Sequence, residues 1–267
     1  MSATLASIHL YPLKSCAPLA RDSAEVEVRG LRGDRRWMVV DAQGKFLTGR
    51  QQPKLTLIRA EPDGDGVQLA APDRARLRID APPADGARLA TAVWDDPVAP
   101  LLAPADAQRW ISDFLGADCR IVYMDTACQR PVDADYGAPG DVVSLADGYP
   151  LLLVSQAAVD ALNARLAQPV PALRFRPNLV IAGTEPHAED GWKRVRIGAC
   201  EFDVVKPCTR CVFTTVDFER GAFDPSGEPL RTLKSYRRSP TGITFGQNLI
   251  PRRLGSLRVG DAVEVLG

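Results

Sequence analysis

The chain has 267 residues, in which 33 Lys and Arg side chains balance 33 Asp and Glu, and only two residues are histidine. A zero net charge excludes a uniformly basic nucleic-acid coat protein or an acidic tail protein, so we expect no nucleic-acid partner. With 45% hydrophobic and 25% charged residues, the composition predicts a globular chain of one large domain or two small ones.

From the N-terminus, short runs of β-branched or alternating residues are separated by Gly, Pro and Asp, a pattern that predicts strands. Seven runs before residue 100 share this pattern: 5–11, 25–28, 37–41, 55–60, 67–70, 75–79 and 90–94. Many short strands at close spacing predict a small antiparallel barrel or sandwich.

Two helices are predicted after these strands. Residues 106–115 have apolar side chains at helical spacing, with Asp106 as a capping residue and Gly116 as the end. The second helix is predicted to begin with Ser155 as its N-cap and to reach residue 166.

The segment 125–145, between the two predicted helices, is rich in Pro, Gly and Asp and is the predicted long loop. It forms either a seam between two lobes or a lid over a site. Strand patterns return afterwards, at 179–182, 194–197, 201–206, 211–216 and 263–266.

The six cysteines are irregularly spaced, and no signal segment precedes them. We therefore expect reduced thiols in a cytoplasmic protein. No run approaches the ~18 apolar residues of a membrane helix, so no membrane association is expected. Because the two histidines are far apart, any metal needs Cys, carboxylate or non-protein ligands.

The neutral total conceals an uneven distribution of charge. The net charge is +5 over residues 1–60, −9 over 61–173, +6 over 174–258 and −2 over 259–267. Two basic segments on either side of an acidic one could fold into a positive cleft for an anionic small ligand. A merely patchy surface is the alternative.

The pair Cys208 and Cys211, in Lys206-Pro-Cys-Thr-Arg-Cys211, is the most suggestive local motif. As half of a structural zinc site it lacks a second ligand pair. As a redox dithiol it lacks a helix start after the second cysteine, which instead opens a strand-like run. Two buried thiols that pack as small apolar groups remain the third interpretation.

Several polar motifs suit phosphate or a heterocycle. Arg176 precedes Pro177, so extended backbone is expected to project a guanidinium that can contact phosphate in its plane. Asn178 adds an amide that can bind a heterocycle edge. Lys14 and Ser15 place a cation beside a hydroxyl. Solvated basic turns and a capping Asn explain each motif equally well when it is taken alone.

Together, seven motifs occur in the order and spacing of the MOSC family, the molybdenum cofactor sulfurase C-terminal domain. The closest resemblance is to the branch with an N-terminal MOSC β-barrel domain, which includes the amidoxime-reducing components. The motifs are Tyr11-Pro-Leu-Lys-Ser-Cys16, Gly33-Asp-Arg-Arg-Trp37, Arg174-Phe-Arg-Pro-Asn178, Cys208-Thr-Arg-Cys-Val-Phe-Thr-Thr-Val-Asp217, Leu233-Lys-Ser-Tyr-Arg237, Phe245-Gly-Gln247 and Val259-Gly-Asp261.

The resemblance implies a mixed, β-rich α+β fold. An N-terminal β-barrel lobe over residues 1–120 is followed by a MOSC β-barrel lobe with peripheral helices over 121–267. The cofactor is expected in the cleft between the two lobes.

The resemblance also implies a molybdenum cofactor, in which a molybdopterin dithiolene holds the metal and a protein cysteine completes the thiolate set. The matching residue is Cys211, and soft sulfur suits such a metal. Cys208 is then either structural or a neighbour of the metal's ligands. Seven further cofactor contacts are implied: Lys14, Ser15, Arg35, Asp147, Arg176, Asn178 and Thr209. Asp147 is also a catalytic candidate with Cys211, because it, or a metal-bound water, could supply a proton.

The activity implied is the reduction of N-hydroxylated compounds (amidoximes, hydroxylamines and N-hydroxylated bases) by oxygen-atom transfer to molybdenum. No cysteine-rich ferredoxin module follows Cys211. A separate electron donor, an iron–sulfur, haem or flavin protein, is therefore expected.

Two other functions remain open. The chain could be a cofactor carrier or sulfur-transfer module with a persulfide on Cys211, as the link of MOSC domains to pyridoxal-phosphate-dependent sulfurases suggests. It could also be a non-catalytic β-rich module that binds another phosphorylated ligand.

Overall fold

The computed structural model describes residues 2–267. Its first half consists of twelve strands and one helix: β1 (Thr4–Leu10), β2 (Leu19–Arg21), β3 (Ser23–Glu27), β4 (Gly30–Leu31), β5 (Trp37–Asp41), β6 (Arg59–Asp63), β7 (Gly66–Ala70), β8 (Leu77–Ile79), β9 (Thr91–Val93), β10 (Asp96–Val98), β11 (Leu101–Leu102), α1 (Ala105–Leu115) and β12 (Cys119–Tyr123).

The second half contains the other strands and two helices. They are β13 (Leu151–Ser155), α2 (Gln156–Asn163), β14 (Leu179–Ala182), β15 (Arg194–Ile197), β16 (Cys200–Thr209), β17 (Val216–Asp217), β18 (Ala222–Phe223), α3 (Leu230–Tyr236), β19 (Arg238–Ser239), β20 (Gly242–Arg253), β21 (Gly255–Arg258) and β22 (Val263–Val265). The predicted mixed, strand-rich fold with peripheral helices is confirmed.

The largest sheet has the strand order β2-β1-β14-β13-β20-β16-β15-β22, with β19 paired to β20. β13 and β14 run parallel and are joined through α2, whereas β1 pairs with β14 in the antiparallel sense. As a result, the end of β1 lies beside the starts of β13 and β14. Three polar segments of the chain therefore meet at one place.

The first half also forms small antiparallel sheets, among them β11-β12-β5 and β6-β7-β8. They enclose an apolar core that includes Trp37, Leu55 and Ile111. A second core, on the largest sheet, includes Leu5 and Phe202. Since β1 and β2 belong to the largest sheet, the two halves share a sheet. The boundary between two lobes at about residue 120 stays a prediction.

Local signals located one end of each predicted helix, although α2 ends at Asn163 and not at residue 166. Ser155 caps α2 as predicted, because its hydroxyl accepts a hydrogen bond from the amide of Ala158 at 3.2 Å. Gly116 ends α1 in the left-handed conformation, with φ of 69°. The α1 helix begins at Ala105, however, so Asp106 lies inside its first turn and is not the cap.

Two predicted strands are wrong in part. The segment 55–60 begins in a 3-10 turn (Pro53–Leu57), in which the hydroxyl of Thr56 donates to the carbonyl of Pro53 at 2.7 Å. The segment 211–216 is mostly a second 3-10 turn, Val212–Thr215. Such local bonds from Thr side chains compete with strand pairing.

Arg176 also departs from its prediction, since its backbone is left-handed, with φ of 57°, and not extended. The 3-10 turn Ala172–Phe175 ends at this residue, and its amide donates to the carbonyl of Leu173. None of the helices within residues 2–267 has the length and hydropathy needed to cross a membrane.

Glu189 is fully buried beneath the start of α2, where one carboxylate oxygen accepts the amide of Ser155 at 3.1 Å and the other has no partner among residues 2–267. Burial raises the pKa of Glu189, although the bonds from Ser155 oppose the change. A group whose pKa is raised on folding contributes stability at pH values below its unfolded-state pKa. This contribution is lost as the pH rises through its folded-state pKa.

Glu189→Gln removes this titration. Relative to wild type, the variant is therefore expected to gain free energy of unfolding between about pH 4 and about pH 8, by ~1.4 kcal/mol for each unit by which the pKa is raised. Urea unfolding at both pH values measures the difference. The exposed neighbour Glu185→Gln is the control. A Glu189→Gln difference that is the same at both pH values contradicts the prediction.

Candidate functional site

One pocket lies where the end of β1 meets the starts of β13 and β14, with β16 and its following 3-10 turn at the side. Both halves of the chain line it. The lining residues are Lys14, Ser15, Arg35, Thr48, Arg50, Ala146, Asp147, Gly148, Tyr149, Leu151, Leu152, Arg174, Phe175, Arg176, Asn178, Cys208, Thr209, Arg210, Cys211, Phe213, Thr214 and Asn248. All eight predicted site residues are among them.

The pocket lining is strongly positive. Asp147 is the one acidic residue that lines it in the described part of the chain. Six lining residues are cationic: Lys14, Arg35, Arg50, Arg174, Arg176 and Arg210. All six belong to the two basic segments, 1–60 and 174–258. A concave surface with this excess of positive charge concentrates anionic ligands.

Three pocket residues have left-handed backbone conformations although none is glycine: Ser15 with φ of 70°, Arg35 with φ of 47° and Arg176 with φ of 57°. Such conformations cost energy in residues with a side chain and cluster at functional sites. Here they direct a hydroxyl and two guanidinium groups towards one pocket.

Lys14 and Asp147 form an ion pair at the pocket wall. The Lys14 ammonium donates to Asp147 Oδ1 at 2.6 Å and to the Leu145 carbonyl at 2.8 Å. The Lys14 side chain is buried, whereas that of Asp147 is 68% exposed within the pocket. Desolvation by the surrounding chain would raise the pKa of Asp147, but the charge and hydrogen bond of Lys14 hold it well below its usual value. Asp147 is therefore ionised at neutral pH.

Asn178 links the two halves beneath the pocket. Its amide oxygen accepts from Arg35 Nη1 at 2.9 Å and from the amide of Leu152 at 3.2 Å. Its amide nitrogen donates to the His9 carbonyl and to Asp34 Oδ2, both at 3.1 Å. An Asn side chain makes four such bonds at most. Asn178 thus orients Arg35, and its direct contact with a pterin stays a prediction.

Tyr11 is fully buried between two guanidinium groups, with Arg35 Cζ 4.2 Å and Arg176 Cζ 4.1 Å from its ring centre. Its hydroxyl donates to the Pro177 carbonyl at 3.1 Å. The planar Arg groups stack on the aromatic ring, which holds them in place without neutralising their charge. The sequence did not single out this role of Tyr11.

Arg176 supplies the test of whether the pocket fits a phosphate-bearing cofactor. Its Nη1 donates to the Cys16 carbonyl at 2.7 Å, but its Nη2 is buried with no partner among residues 2–267. A buried N–H donor without an acceptor is costly. A phosphate oxygen would satisfy it with a charge-assisted bond. The residues present therefore fit an anionic cofactor.

Cys211 is exposed and precedes the turn Val212–Thr215, whereas Cys208 is half-buried. Burial raises the pKa of the Cys208 thiol. Between them, Arg210 anchors the segment, because its Nη1 donates to the Phe175 carbonyl at 3.0 Å and its Nε to the Phe245 carbonyl at 2.8 Å. The two thiols are therefore in different surroundings, and Cys211 is the one open to a ligand.

Arg130 is a positioning residue that the sequence did not reveal. Its buried guanidinium donates to the carbonyls of Ser144, Ala146 and Asp147 at 3.1, 2.5 and 2.7 Å. Arg130 Nε also bonds Asp96 at 2.8 Å. The predicted loop 125–145 thus returns its own arginine to shape the segment that carries Asp147. This role of Arg130 is visible only in the folded chain, where three carbonyl groups converge on its guanidinium.

Gly49 and Phe213 bring the two halves into contact beside the pocket. A Cβ atom on Gly49 would lie 2.2 Å from Cε2 of the Phe213 ring. Gly49→Ala is therefore expected to lower the free energy of unfolding by about 1–3 kcal/mol through overpacking. Urea unfolding is the measurement. Gly191→Ala, where a Cβ meets nothing within 4 Å, should change it by less than about 0.5 kcal/mol. Equal effects of the two substitutions would contradict this packing.

Within residues 2–267, no group of three or more His, Cys, Asp and Glu side chains is placed to hold a metal ion. All six cysteines are free thiols. A metal at Cys211 would therefore need its other ligands from a cofactor. The pocket supplies cationic groups and hydrogen-bond donors for such a cofactor.

Comparison with known proteins gives two family matches, the MOSC N-terminal beta barrel domain over residues 2–118 and the MOSC domain over residues 140–264. The chain is similar to mitochondrial amidoxime-reducing component 1 of Mus musculus, at 37% identity over 99% of this chain and 82% of that protein. The Homo sapiens protein of that name is 36% identical, over 99% and 83%. The one from Xenopus laevis is 33% identical, over 95% and 79%.

Proposed function

The chain belongs to the MOSC domain family, in the branch with the MOSC N-terminal β-barrel domain, and we propose that it is a molybdenum-cofactor-dependent reductase of N-hydroxylated compounds. Supporting this, the relatives are named amidoxime-reducing components. The observation that carries the proposal is the positive pocket that contains both Cys211 and the unpartnered Nη2 of Arg176.

In this proposal the cofactor's anionic end binds deep in the pocket. Lys14, Ser15, Arg35 and Arg176 provide the hydrogen-bond donors, and the Tyr11 ring contacts both arginine guanidinium groups. Because these groups are fixed by the protein before the cofactor binds, little ordering is needed on binding. The N-terminal and C-terminal halves together complete the site.

At the other end, the Cys211 thiolate is the protein ligand to molybdenum, and Thr209 lies beside it in the lining. When bound, the cofactor supplies two-electron chemistry at the N–O bond, as redox cofactors do. Arg210 and its carbonyl partners fix the position of the Cys211 segment. The exposure of Cys211 leaves room for a substrate on its open side.

Cleavage of an N–O bond to an amine and water needs two electrons and two protons. In this proposal the proton donor is the buried Lys14 ammonium, whose pKa is lowered by desolvation, and the ionised Asp147 orients it at 2.6 Å. The electrons come from a separate iron–sulfur, haem or flavin protein. A cytoplasmic location, and a boundary between two lobes near residue 120, also remain predictions.

The test is to express the chain in a host that makes the molybdenum cofactor, then to measure bound molybdenum and the reduction of benzamidoxime with a chemical electron donor. We expect bound metal and benzamidine as product. Protein that holds no molybdenum and reduces no amidoxime overturns the proposal. A cyanide-releasable sulfur on Cys211 without molybdenum would instead favour the sulfur-carrier function, which the exposure of Cys211 also permits.

A further inference from the structure

Arg50 is the cation of the pocket that the protein leaves free. Lys14, Arg35 and Arg174 each pair with a carboxylate. The guanidinium groups of Arg176 and Arg210 donate to backbone carbonyls. For the Arg50 guanidinium, the described residues 2–267 provide neither a carboxylate within 4 Å nor a hydrogen bond. Its positive charge is therefore available to a ligand.

Trp94, which lies outside the pocket lining, stacks on this guanidinium. The Arg50 Cζ lies 4.1 Å from the Trp94 ring centre, and the Trp94 side chain is 45% exposed. Trp94 turns the chain between β9 and β10 with φ of 58°, and its ring meets Phe46 edge-on at 5.2 Å. A bulky residue in left-handed backbone, exposed beside a pocket, indicates a role in binding, because stability alone disfavours it.

The charge of Arg50 also reaches the interior of the pocket, since it helps Lys14 and Arg35 to keep the pKa of Asp147 low. Asp147 already has Lys14 as its hydrogen-bonded partner at 2.6 Å. The deep donors are those of Ser15, Arg35 and Arg176. Arg50, by contrast, stacks on a ring that is 45% exposed, so it lies on a solvent-accessible side of the pocket.

We propose that Arg50, stacked on Trp94, binds an anionic group of the substrate, so that the site prefers N-hydroxylated compounds that carry a carboxylate to neutral ones of the same shape. This inference rests on the proposed function. A guanidinium presents paired N–H donors that match a carboxylate in one plane. Stacking on Trp94 orients the guanidinium while leaving those donors free.

Binding without an electron donor tests the inference separately from turnover. Calorimetry on the molybdenum-loaded protein compares 4-carboxybenzamidoxime with its neutral isostere, 4-carbamoylbenzamidoxime. We expect the carboxylate to bind about tenfold more tightly, as one charge-assisted contact at a half-exposed site provides. Arg50→Gln should reduce this preference to less than about twofold, and Trp94→Leu should leave an intermediate value. Arg109→Gln, which removes a charge from the exposed face of α1, should not change it.

Arg50→Lys keeps the charge and should retain part of the preference for the carboxylate. This variant distinguishes loss of the charge from a folding defect. Equal affinity of the wild-type protein for both ligands overturns the inference, even if both are reduced when a donor is added. Loss of molybdenum and pterin from Arg50→Gln also overturns it, because Arg50 would then belong to the cofactor site. If the protein binds and reduces neither ligand, it is the proposed function that has failed.

Discussion

Cys211→Ser is expected to abolish reductase activity and the retention of molybdenum. A serine hydroxyl remains protonated at neutral pH and is a hard, weak ligand where a soft thiolate is needed. Activity should fall by more than about 100-fold, because loss of groups that merely orient a metal ligand already costs ~10–100-fold. Bound molybdenum, measured by mass spectrometry against protein concentration, and benzamidoxime turnover are the two measurements.

Cys208→Ser is the matched control, since it also replaces a cysteine sulfur by oxygen, at a position three residues earlier. Cys208 also lines the pocket but is half-buried, and its thiol donates to the Thr209 carbonyl at 3.8 Å. We expect this variant to keep its molybdenum and most of its activity. Equal loss in both variants would mean that the two thiols act as a pair, as in a redox dithiol, and would contradict the assignment of Cys211 alone.

Arg130→Met is expected to have the largest effect on stability among the substitutions considered for the pocket wall. Methionine fills similar space but leaves the carbonyls of Ser144, Ala146 and Asp147 without their donor. Removing one member of such a buried, charged network costs about 3–5 kcal/mol. Urea unfolding measures this loss. Because the Asp147 segment then loosens, bound molybdenum should also fall.

Arg78→Met is the control for Arg130, because Arg78 forms an exposed ion pair with Asp63 at 2.7 Å. Exposed pairs of this kind contribute about 0–1 kcal/mol. A loss at Arg130 no greater than that at Arg78 would show that the three carbonyls find water or other donors. The role of Arg130 in placing Asp147 would then be rejected.

Much of the fold was predictable because its causes are local. Alternating β-branched runs predicted β5, β14 and β15 with their observed bounds. The capping hydroxyl of Ser155 and the left-handed Gly116 located helix ends. These signals act between residues fewer than five positions apart, so they are visible in the sequence alone.

The failures have physical causes that apolar periodicity and capping patterns do not show. Helix α3 was missed because Pro229 precedes it with no side-chain cap, and Leu233 is its one fully buried residue. Its first turn is held by the Glu228 carboxylate, which accepts the amide of Thr232 at 3.0 Å. The apolar run 211–216 was taken for a strand, but the hydroxyls of Thr214 and Thr215 donate to carbonyls three residues back and form a turn. The close approach of Phe213 to Gly49, in the other half of the chain, accompanies this turn.

Motif order alone predicted eight residues for one site, Cys211 among them, and all eight line the same pocket. Which of these groups are already bonded to one another depends on the folded chain. Lys14 and Asp147 are 133 positions apart, and Arg35 and Asn178 are 143 apart. Pairing over such separations depends on the sheet that brings their segments together. Only the folded chain therefore reveals which cations are already paired and that Arg50 is free.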